Sequence, residues 1–391
     1  MTAAYRPSAE ADVERMRAAL ALAGRGLGNV WPNPAVGCVI VQSGEIQGGQ
    51  TGGGQVVGRG WTQPGGRPHA ETQALARAGD AARGATAYVS LEPCAHYGKT
   101  PPCAEALIKA GVARVVSACE DPDHRVAGRG HALLREAGVA VTVGVLAEEA
   151  RRLNLGFFLA RLHDRPMTTL KLATTLDGRI AARTGHSKWI TGEAARAASH
   201  RLRADHDAIL VGVGTALADD PDLTCRLPGM EHRSPVRVVF DSRLRLPLTA
   251  KLVTTATQVP TWVMTLAATD AHHKARAAAL AAAGARVFHV PADAAGMPDV
   301  AAALKVLAGE GITRLLAEGG AHVAASLLRA GVVDRLEWFR APGLIGGDGL
   351  PAAQGFGLDR VDVMPRFFRL SVQRLGDDVW ERYEATRERL A

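Results

Sequence analysis

His69-Ala70-Glu71 and Leu91-Glu92-Pro93-Cys94-Ala95-His96-Tyr97-Gly98-Lys99-Thr100-Pro101-Pro102-Cys103 decide the reading of this chain. One imidazole and two thiols, His69, Cys94 and Cys103, supply three nitrogen and sulfur ligands. A tetrahedral zinc held by three such ligands keeps one position open, which is what a catalytic zinc requires. Glu71, two residues after the imidazole, is placed to move protons beside that position. Two other readings compete. His96 as a fourth ligand would close the site and make the zinc structural, and the cysteines alone would serve as buried thiols or a disulfide. Glu71 weighs against both, because a purely structural centre has no use for an acid there.

The flanking pattern builds outward from these residues. His69 opens a helix expected to run to Gly79, with Ala70, Ala74, Leu75 and Ala78 on its inner side. A strand over Ala87 to Leu91 ends at Glu92-Pro93-Cys94, and Cys103 opens a helix closing at Gly111. Two ligands therefore sit at or near helix N-termini, where the dipole favours thiolate over thiol. Upstream, Ser8 caps a helix with Glu10 and Asp12 in its first turn and Gly24 at its end. Trp31-Pro32-Asn33-Pro34 is a rigid loop ahead of a strand over Val36 to Val41. Asn33, held extended between prolines, is a candidate to grip a substrate hydroxyl or base edge, or else a simple turn residue. Gly48 to Gly54 reads as a flexible hairpin tip before a partner strand over Val56 to Trp61. Further units follow: strand Arg114 to Cys119, helix Arg129 to Ala137 and strand Val139 to Val143. This alternation predicts a three-layer α/β/α domain.

The chain has 391 residues, 47% hydrophobic and 22% charged, enough for two or three domains with ordinary cores. The net charge of +7 is spread along the chain without a basic block, so an acidic small molecule accounts for it as well as nucleic acid does. Met1 to Ser8 is polar and leads into an amphipathic helix, which is not the pattern of a signal peptide. No apolar run is long enough to span a bilayer. Cys38, Cys119 and Cys225 are scattered in apolar or loop contexts and read as buried thiols of a reducing cytoplasm.

The H-x-E and P-C pattern is that of zinc-dependent nucleobase deaminases. The nine-residue step from Cys94 to Cys103 departs from the short P-C-x-x-C of cytidine, tRNA and polynucleotide deaminases. L-E-P-C-A-H-Y-G-K-T-P-P-C, with H-A-E before it and E-D-P-D-H-R-V-A-G-R-G after it, closely resembles the deaminase half of the bifunctional riboflavin-biosynthesis deaminase/reductase.

His163-Asp164-Arg165-Pro166 reads as a linker, dividing the chain into residues 1–164 and 165–391. Beyond it, strands are expected over Thr168 to Ala173, Ile209 to Thr215 and Val236 to Phe240, the second running into a glycine loop. Thr191 is a candidate cap for the helix between the first two. Leu315-Leu316-Ala317-Glu318-Gly319-Gly320-Ala321-His322 reads as strand, glycine turn and helix N-terminus, a geometry that binds phosphate through backbone N–H groups. The G-x-G-x-x-G fingerprint is absent. Ser242, Arg243 and Arg245 follow a strand and are candidates for a ribose 2′-phosphate, which would favour NADPH over NADH. Phe367 to Arg374 and Val379 to Ala385 flank Gly376-Asp377 as a closing hairpin.

K-L-A-T-T-L-D-G-R-I-A, S-K-W-I-T-G, G-V-G-T-A-L-A-D-D-P-D-L-T-C-R and A-E-G-G-A resemble the reductase half of the same family. The resemblance covers nearly the whole chain. It implies an N-terminal cytidine-deaminase-like domain and a C-terminal dihydrofolate-reductase-like α/β domain. It also implies zinc on His69, Cys94 and Cys103 with Glu71 catalytic, and NADPH facing Ala173, Trp189, Thr215, Asp219, Ser242 and the turn Gly320, Ala321, His322. A pyrimidine ribosyl phosphate would face Ser187, Arg203, Leu223, Arg226 and Glu318, with the two arginines holding the phosphate. A homodimer through the second domain is consistent with this. The implied function is deamination of 2,5-diamino-6-ribosylamino-4(3H)-pyrimidinone 5′-phosphate, then reduction of the ribosyl group to ribityl. Rival readings are a nucleic-acid or nucleoside zinc deaminase fused to a nucleotide-binding module, a non-catalytic zinc protein with a nucleotide-sensing module, and a chain that keeps only the deaminase.

Overall fold

The computed structural model describes residues 9–42, 54–98, 101–124, 126–267 and 270–386. The chain divides into two compact units, Met1–His163 and Asp164–Ala391. Ser8 and most of the Gly48–Gly54 stretch lie outside the described residues.

The first unit runs α1 (Ala9–Ala23), β1 (Gly37–Gln42), β2 (Gln55–Trp61), α2 (Ala70–Ala78), β3 (Thr86–Val89), α3 (Cys103–Lys109), β4 (Arg114–Ser117), α4 (Arg129–Glu136), β5 (Ala140–Val143), α5 (Ala147–Leu153) and α6 (Leu155–Leu162). Its sheet has the order β2-β1-β3-β4-β5, antiparallel on the β2 side and parallel from β3 to β5. The helices form two groups: α2, α3 and α4 touch one another in sequence, and α1 touches α5. Tyr88, Ile40, Leu107 and Leu134 fill the core between these layers.

Two strand glycines set the depth at which α2 lies. A Cβ on Gly58 would stand 2.2 Å from the Ala74 carbonyl oxygen, and one on Gly60 would stand 2.1 Å from that of Ala70. The alanine face of α2 (Ala70, Ala74, Ala78) therefore packs directly onto β2 backbone, a closeness that only glycine permits. That contact fixes the N-terminal end of α2, where His69 and Glu71 sit.

The second unit runs β6 (Met167–Thr174), β7 (Arg179–Ala181), α7 (Glu193–Ala204), β8 (Ala208–Gly212), α8 (Val213–Asp219), β9 (Val236–Phe240), α9 (Lys251–Thr254), β10 (Thr261–Leu266), α10 (Ala271–Ala282), β11 (Arg286–Val290), α11 (Val300–Gly309), β12 (Arg314–Ala317), α12 (Ala321–Arg329), β13 (Val333–Arg340), β14 (Leu350–Pro351), β15 (Phe367–Leu375) and β16 (Asp378–Ala385). Nine strands form one sheet in the order β11-β10-β9-β8-β12-β6-β13-β16-β15. The six strands from β11 to β6, and β13 beside them, are parallel; the β15–β16 hairpin adds an antiparallel edge. Each parallel crossover carries a helix back across the sheet, as such connections require.

Two local expectations are corrected. Gly192, not Thr191, occupies the N-cap of α7, and the Thr191 carbonyl instead accepts from Arg196. The segment after β8 is not a glycine loop: the chain turns at Gly212 straight into α8, which carries Gly214 and Thr215.

Candidate functional sites

In the first unit the elements deliver one imidazole and two thiols to one point. His69 is the N-cap of α2, Cys94 lies in the loop after β3, and Cys103 is the first residue of α3. His69 Nδ1 lies 3.3 Å from Cys103 Sγ and 3.7 Å from Cys94 Sγ. Ligand atoms around a tetrahedral zinc stand roughly 3.5–3.8 Å apart, given Zn–S near 2.3 Å and Zn–N near 2.0–2.1 Å. The three residues thus fit the ion as they stand. His96 is not part of this group, and all five cysteines are free, so neither a fourth histidine ligand nor a disulfide describes the site.

The electrostatics follow from the same geometry. The Cys94 thiol is drawn down to about 4 by hydrogen bonds from the Cys103 thiol, His69 and the Cys103 backbone N–H, against the opposing effect of burial. Glu71 is 3% exposed. Burial, helped by the nearby Cys94, pushes its carboxyl up to about 7. A carboxyl at that value both takes and gives a proton near neutral pH.

A second buried carboxylate frames the site. Glu92 accepts four backbone N–H groups, from Asp121 (3.1 Å), Gly128 (2.9 Å), Gly130 (2.9 Å) and His131 (3.2 Å). It thereby fastens the Asp121–His131 loop behind Pro93-Cys94. Gly130 lies so close to the Pro93 carbonyl that a Cβ there would meet it at 2.0 Å. Asn33 rests against Gly66 (φ +82), where only the lack of a side chain leaves room for its amide: a Cβ on Gly66 would meet Asn33 Nδ2 at 1.7 Å. Asn33 thus touches the turn that leads into His69.

In the second unit a cavity of about 960 Å³ opens at the C-terminal ends of β6, β8, β9 and β12, where ligands of open parallel sheets bind. Its wall includes Ala173, Trp189, Thr215, Asp219, Gly320, Ala321 and His322, and also Ser187, Arg203, Arg226 and Glu318. The structure does not bring Ser242 or Leu223 to that wall. Leu223 is 3% exposed and packs into the apolar core, with φ at +54. The Gly319-Gly320 turn is as tight as its sequence implies: Gly320 N–H donates to Thr215 Oγ1 at 3.2 Å, joining the α8 and α12 ends. Trp189 is 74% exposed, with the Arg196 guanidinium 4.6 Å from its ring centre.

Arg203 and Glu318 form a two-pronged pair, Nε to Oε1 at 2.8 Å and Nη2 to Oε2 at 2.9 Å, while Nη1 donates to the Thr224 carbonyl. Much of the Arg203 fork is therefore engaged within the protein, rather than spread toward a phosphate. Lys171 Nζ stands 3.7 Å from Glu318 Oε2 and lines the same cavity. The sequence reading passed over Lys171. Its signal is a lone charge in an otherwise uncharged strand, within Leu170-Lys171-Leu172-Ala173.

Together, fold and sites define a two-part enzyme, a zinc-dependent deaminase joined to a reductase. A family model described as the cytidine and deoxycytidylate deaminase zinc-binding region matches residues 9–119, and the RibD C-terminal domain matches residues 166–380. The chain is 43% identical over 365 residues to riboflavin biosynthesis protein RibD of Bacillus amyloliquefaciens, covering 93% of this chain and 94% of that one. It is 40% identical over 381 residues to RibD of Escherichia coli K12, covering 94% and 98%. The solved structure of Acinetobacter baumannii RibD, form 1, superposes with a TM-score of 0.85 at 38% identity, covering 97% of this chain and all of that one. A diaminohydroxyphosphoribosylaminopyrimidine deaminase/5-amino-6-(5-phosphoribosylamino)uracil reductase from Thermotoga maritima superposes with a TM-score of 0.81 at 33% identity, covering 96% and 99%. The chain belongs to the RibD family of bifunctional riboflavin-biosynthesis deaminase/reductases. Zinc serves its first half and NADPH its second. Among the described residues no helix is long and apolar enough to cross a membrane.

Proposed function

We propose that residues 1–164 deaminate 2,5-diamino-6-ribosylamino-4(3H)-pyrimidinone 5′-phosphate and that residues 165–391 reduce the product's ribosyl group to ribityl. The observation that carries the first half is the close approach of His69 Nδ1 to both cysteine sulfurs beside the buried Glu71. His69, Cys94 and Cys103 would hold the zinc, which when bound supplies a water of near-neutral pKa. Glu71 takes one proton of the attacking water and passes it to the ring nitrogen, then carries the remaining hydroxyl proton to the departing amine. A C–O bond forms, the exocyclic C–N bond breaks and ammonia leaves. Asn33, at the turn before His69, holds the base edge or a ribose hydroxyl.

In the second half, bound NADPH supplies a hydride for the anomeric carbon of the ring-opened sugar. Glu318, fixed by Arg203 and Lys171, orients the amine and hydroxyls of the substrate. Arg226, exposed at the cavity wall, meets its phosphate, with Ser187 beside it. Trp189, Thr215, Asp219, Ala173 and the Gly320–His322 turn line the cofactor's path. Ser242 and Leu223 stand off the cavity wall and are given no contact with either ligand. We also infer a homodimer through the second unit, supported by the exposed apolar residues Phe368 and Val372 on the edge strand β15. The free cysteines support a reducing, cytoplasmic setting.

The test supplies the diaminopyrimidinone ribosyl phosphate with NADPH and follows ammonia release and the near-ultraviolet absorbance of the cofactor. Ammonia and oxidised cofactor in equal amounts are expected. Ammonia without cofactor oxidation would leave only the deaminase half standing.

A further inference from the structure

One face of α7 is turned to the cavity of the second unit. Arg196, Ser199, His200 and Arg203 stand at i, i+3, i+4 and i+7 along the helix, and all four line the wall. Arg203 is committed to Glu318 and the Thr224 carbonyl, whereas His200 reaches the backbone that carries Arg226.

That backbone, Leu223 to Arg226, is tied at each residue. Leu223 is sunk in the apolar core at φ +54. The Thr224 carbonyl accepts from Arg203 Nη1 at 3.0 Å, and the buried Cys225 donates its N–H to Ser234 Oγ at 3.1 Å. The last tie is the Arg226 N–H, which donates to His200 Nδ1 at 3.3 Å and has no other acceptor among the described residues. The Arg226 side chain itself is loosely held. Its contact with Asp222, at 3.5 Å, joins side chains 56% and 47% exposed, and an ion pair so wet fixes little. The direction of this arginine is therefore set by its backbone.

His200 Nδ1 also lies 3.2 Å from the Thr224 carbonyl oxygen. A ring nitrogen either accepts or donates, so its two contacts exclude one another. The carbonyl already has a charged donor in Arg203, and the Arg226 N–H needs an acceptor. The partners thus leave Nδ1 bare and put the ring proton on Nε2, which makes no hydrogen bond among the described residues. A proton on Nδ1 would turn it from acceptor to donor and set two N–H groups against each other at Arg226. The surroundings keep that proton off. Arg196 and Arg203 flank the ring on α7, Arg226 and Asp222 come from the facing loop, and Glu318 with Lys171 beside it lies at the strand ends. Burial, then Arg203 and Arg226, push the imidazole below its ordinary value, against the opposing pull of the Thr224 carbonyl and Glu318.

We propose that His200 is a positioning residue for the reduction: its bare Nδ1 latches the Arg226 backbone and so aims the guanidinium at the substrate phosphate, and a proton on that nitrogen undoes the latch. This rests on the reading of Arg226 as the phosphate ligand. The latch is complete while the ring is neutral. It is lost as pH falls through the imidazole's value, below the 6.5 of a free histidine.

The test measures kcat and KM for the deaminated ribosyl phosphate at saturating NADPH, from about pH 8 down to about pH 5, the range in which histidine titrates. It compares the wild-type chain with His200→Ala, His200→Asn, Arg226→Ala and the double variant His200→Ala/Arg226→Ala. Asparagine sets an amide oxygen where Nδ1 stands, and that oxygen does not titrate. Ammonia release by the first unit serves as the control for intact protein.

At about pH 8, where the ring is neutral, His200→Ala is expected to raise KM about tenfold, the worth of one lost hydrogen bond, with kcat little changed. His200→Asn should restore the wild-type KM. On the acid side the wild-type KM should climb more steeply than that of His200→Asn, which keeps only the share due to the substrate phosphate. The double variant should match Arg226→Ala, because no guanidinium is left to aim. A KM unmoved by His200→Ala, acid limbs of equal slope in wild type and His200→Asn, or additive effects in the double variant overturns the proposal. An unmoved KM in Arg226→Ala overturns the phosphate reading of that arginine instead.

Discussion

Arg203, on α7, and Glu318, at the end of β12, meet fork to fork with their side chains only 13% and 9% exposed. Such a pair is stabilising only while both partners are present. Removing one leaves the other charged and dry, which costs about 3–5 kcal/mol. Arg203→Ala is therefore expected to lower the midpoint of unfolding of the second unit and abolish reduction, with ammonia release retained. Calorimetry with an ammonia assay checks this. An unchanged unfolding profile would mean that the pair carries no such load.

The same pair sets a pH window. Burial by itself would raise the Glu318 carboxyl, but Arg203 and Lys171 outweigh it and hold the group at about 2. A carboxyl held below its unfolded value, about 4.3, contributes stability that is complete above that value and is lost as pH falls through the folded one. Denaturant melts of wild type and Glu318→Gln between about pH 5 and pH 2 should converge as the pH drops. A difference that stays constant across this range would contradict the sign.

Metal removal should separate the two activities. A strong chelator, or Cys94→Ser, is expected to strip zinc and abolish ammonia release while cofactor oxidation with deaminated substrate continues. Glu71→Gln is expected to keep its zinc yet lose about 10²–10⁴-fold in deamination, the usual contribution of a positioned acid or base. Elemental analysis beside the ammonia assay distinguishes the two kinds of variant. Wild-type turnover in Glu71→Gln would remove that residue from the mechanism.

Gly60→Ala tests how α2 is seated. The new methyl would lie 2.1 Å from the Ala70 carbonyl, so α2 must shift and carry His69 and Glu71 with it. Weakened zinc retention during dialysis and a destabilisation of about 1–3 kcal/mol, typical of overpacking, are expected. Unaltered zinc affinity would show that the metal site tolerates movement of the helix.

Glu92→Ala should be among the more costly changes in the first unit. It strands the backbone N–H groups of Asp121, Gly128, Gly130 and His131, each orphaned donor worth about 1–3 kcal/mol. Hydrogen exchange should quicken at those four amides first. Unchanged protection there would assign the loop's order to other contacts.

Much of this was legible in the sequence because the relevant signals are local. His69 as cap of α2, Cys103 as the start of α3, and the strand, glycine turn and helix at Leu315–His322 each follow from short-range pattern. What was not legible depends on distant residues. The partner of Arg203 lies 115 positions away, so its engagement by Glu318 shows only in the folded chain. Lys171 and Glu92 were overlooked for the same reason, since their partners come from other elements. The failure at Thr191 was of another kind: a threonine two residues before a helix resembles a cap, but Gly192 takes that place.

The strand order β9-β8-β12-β6 spreads the floor of the second unit's cavity over four strands. At about 4.8 Å per strand its two ends stand roughly 14 Å apart, and they have no side chain in common. The rim at one end can thus be redrawn by altering a single loop while the other end stays as it is. Retuning what this cavity accepts is therefore a matter of rim chemistry, and the floor of the sheet need not be rebuilt.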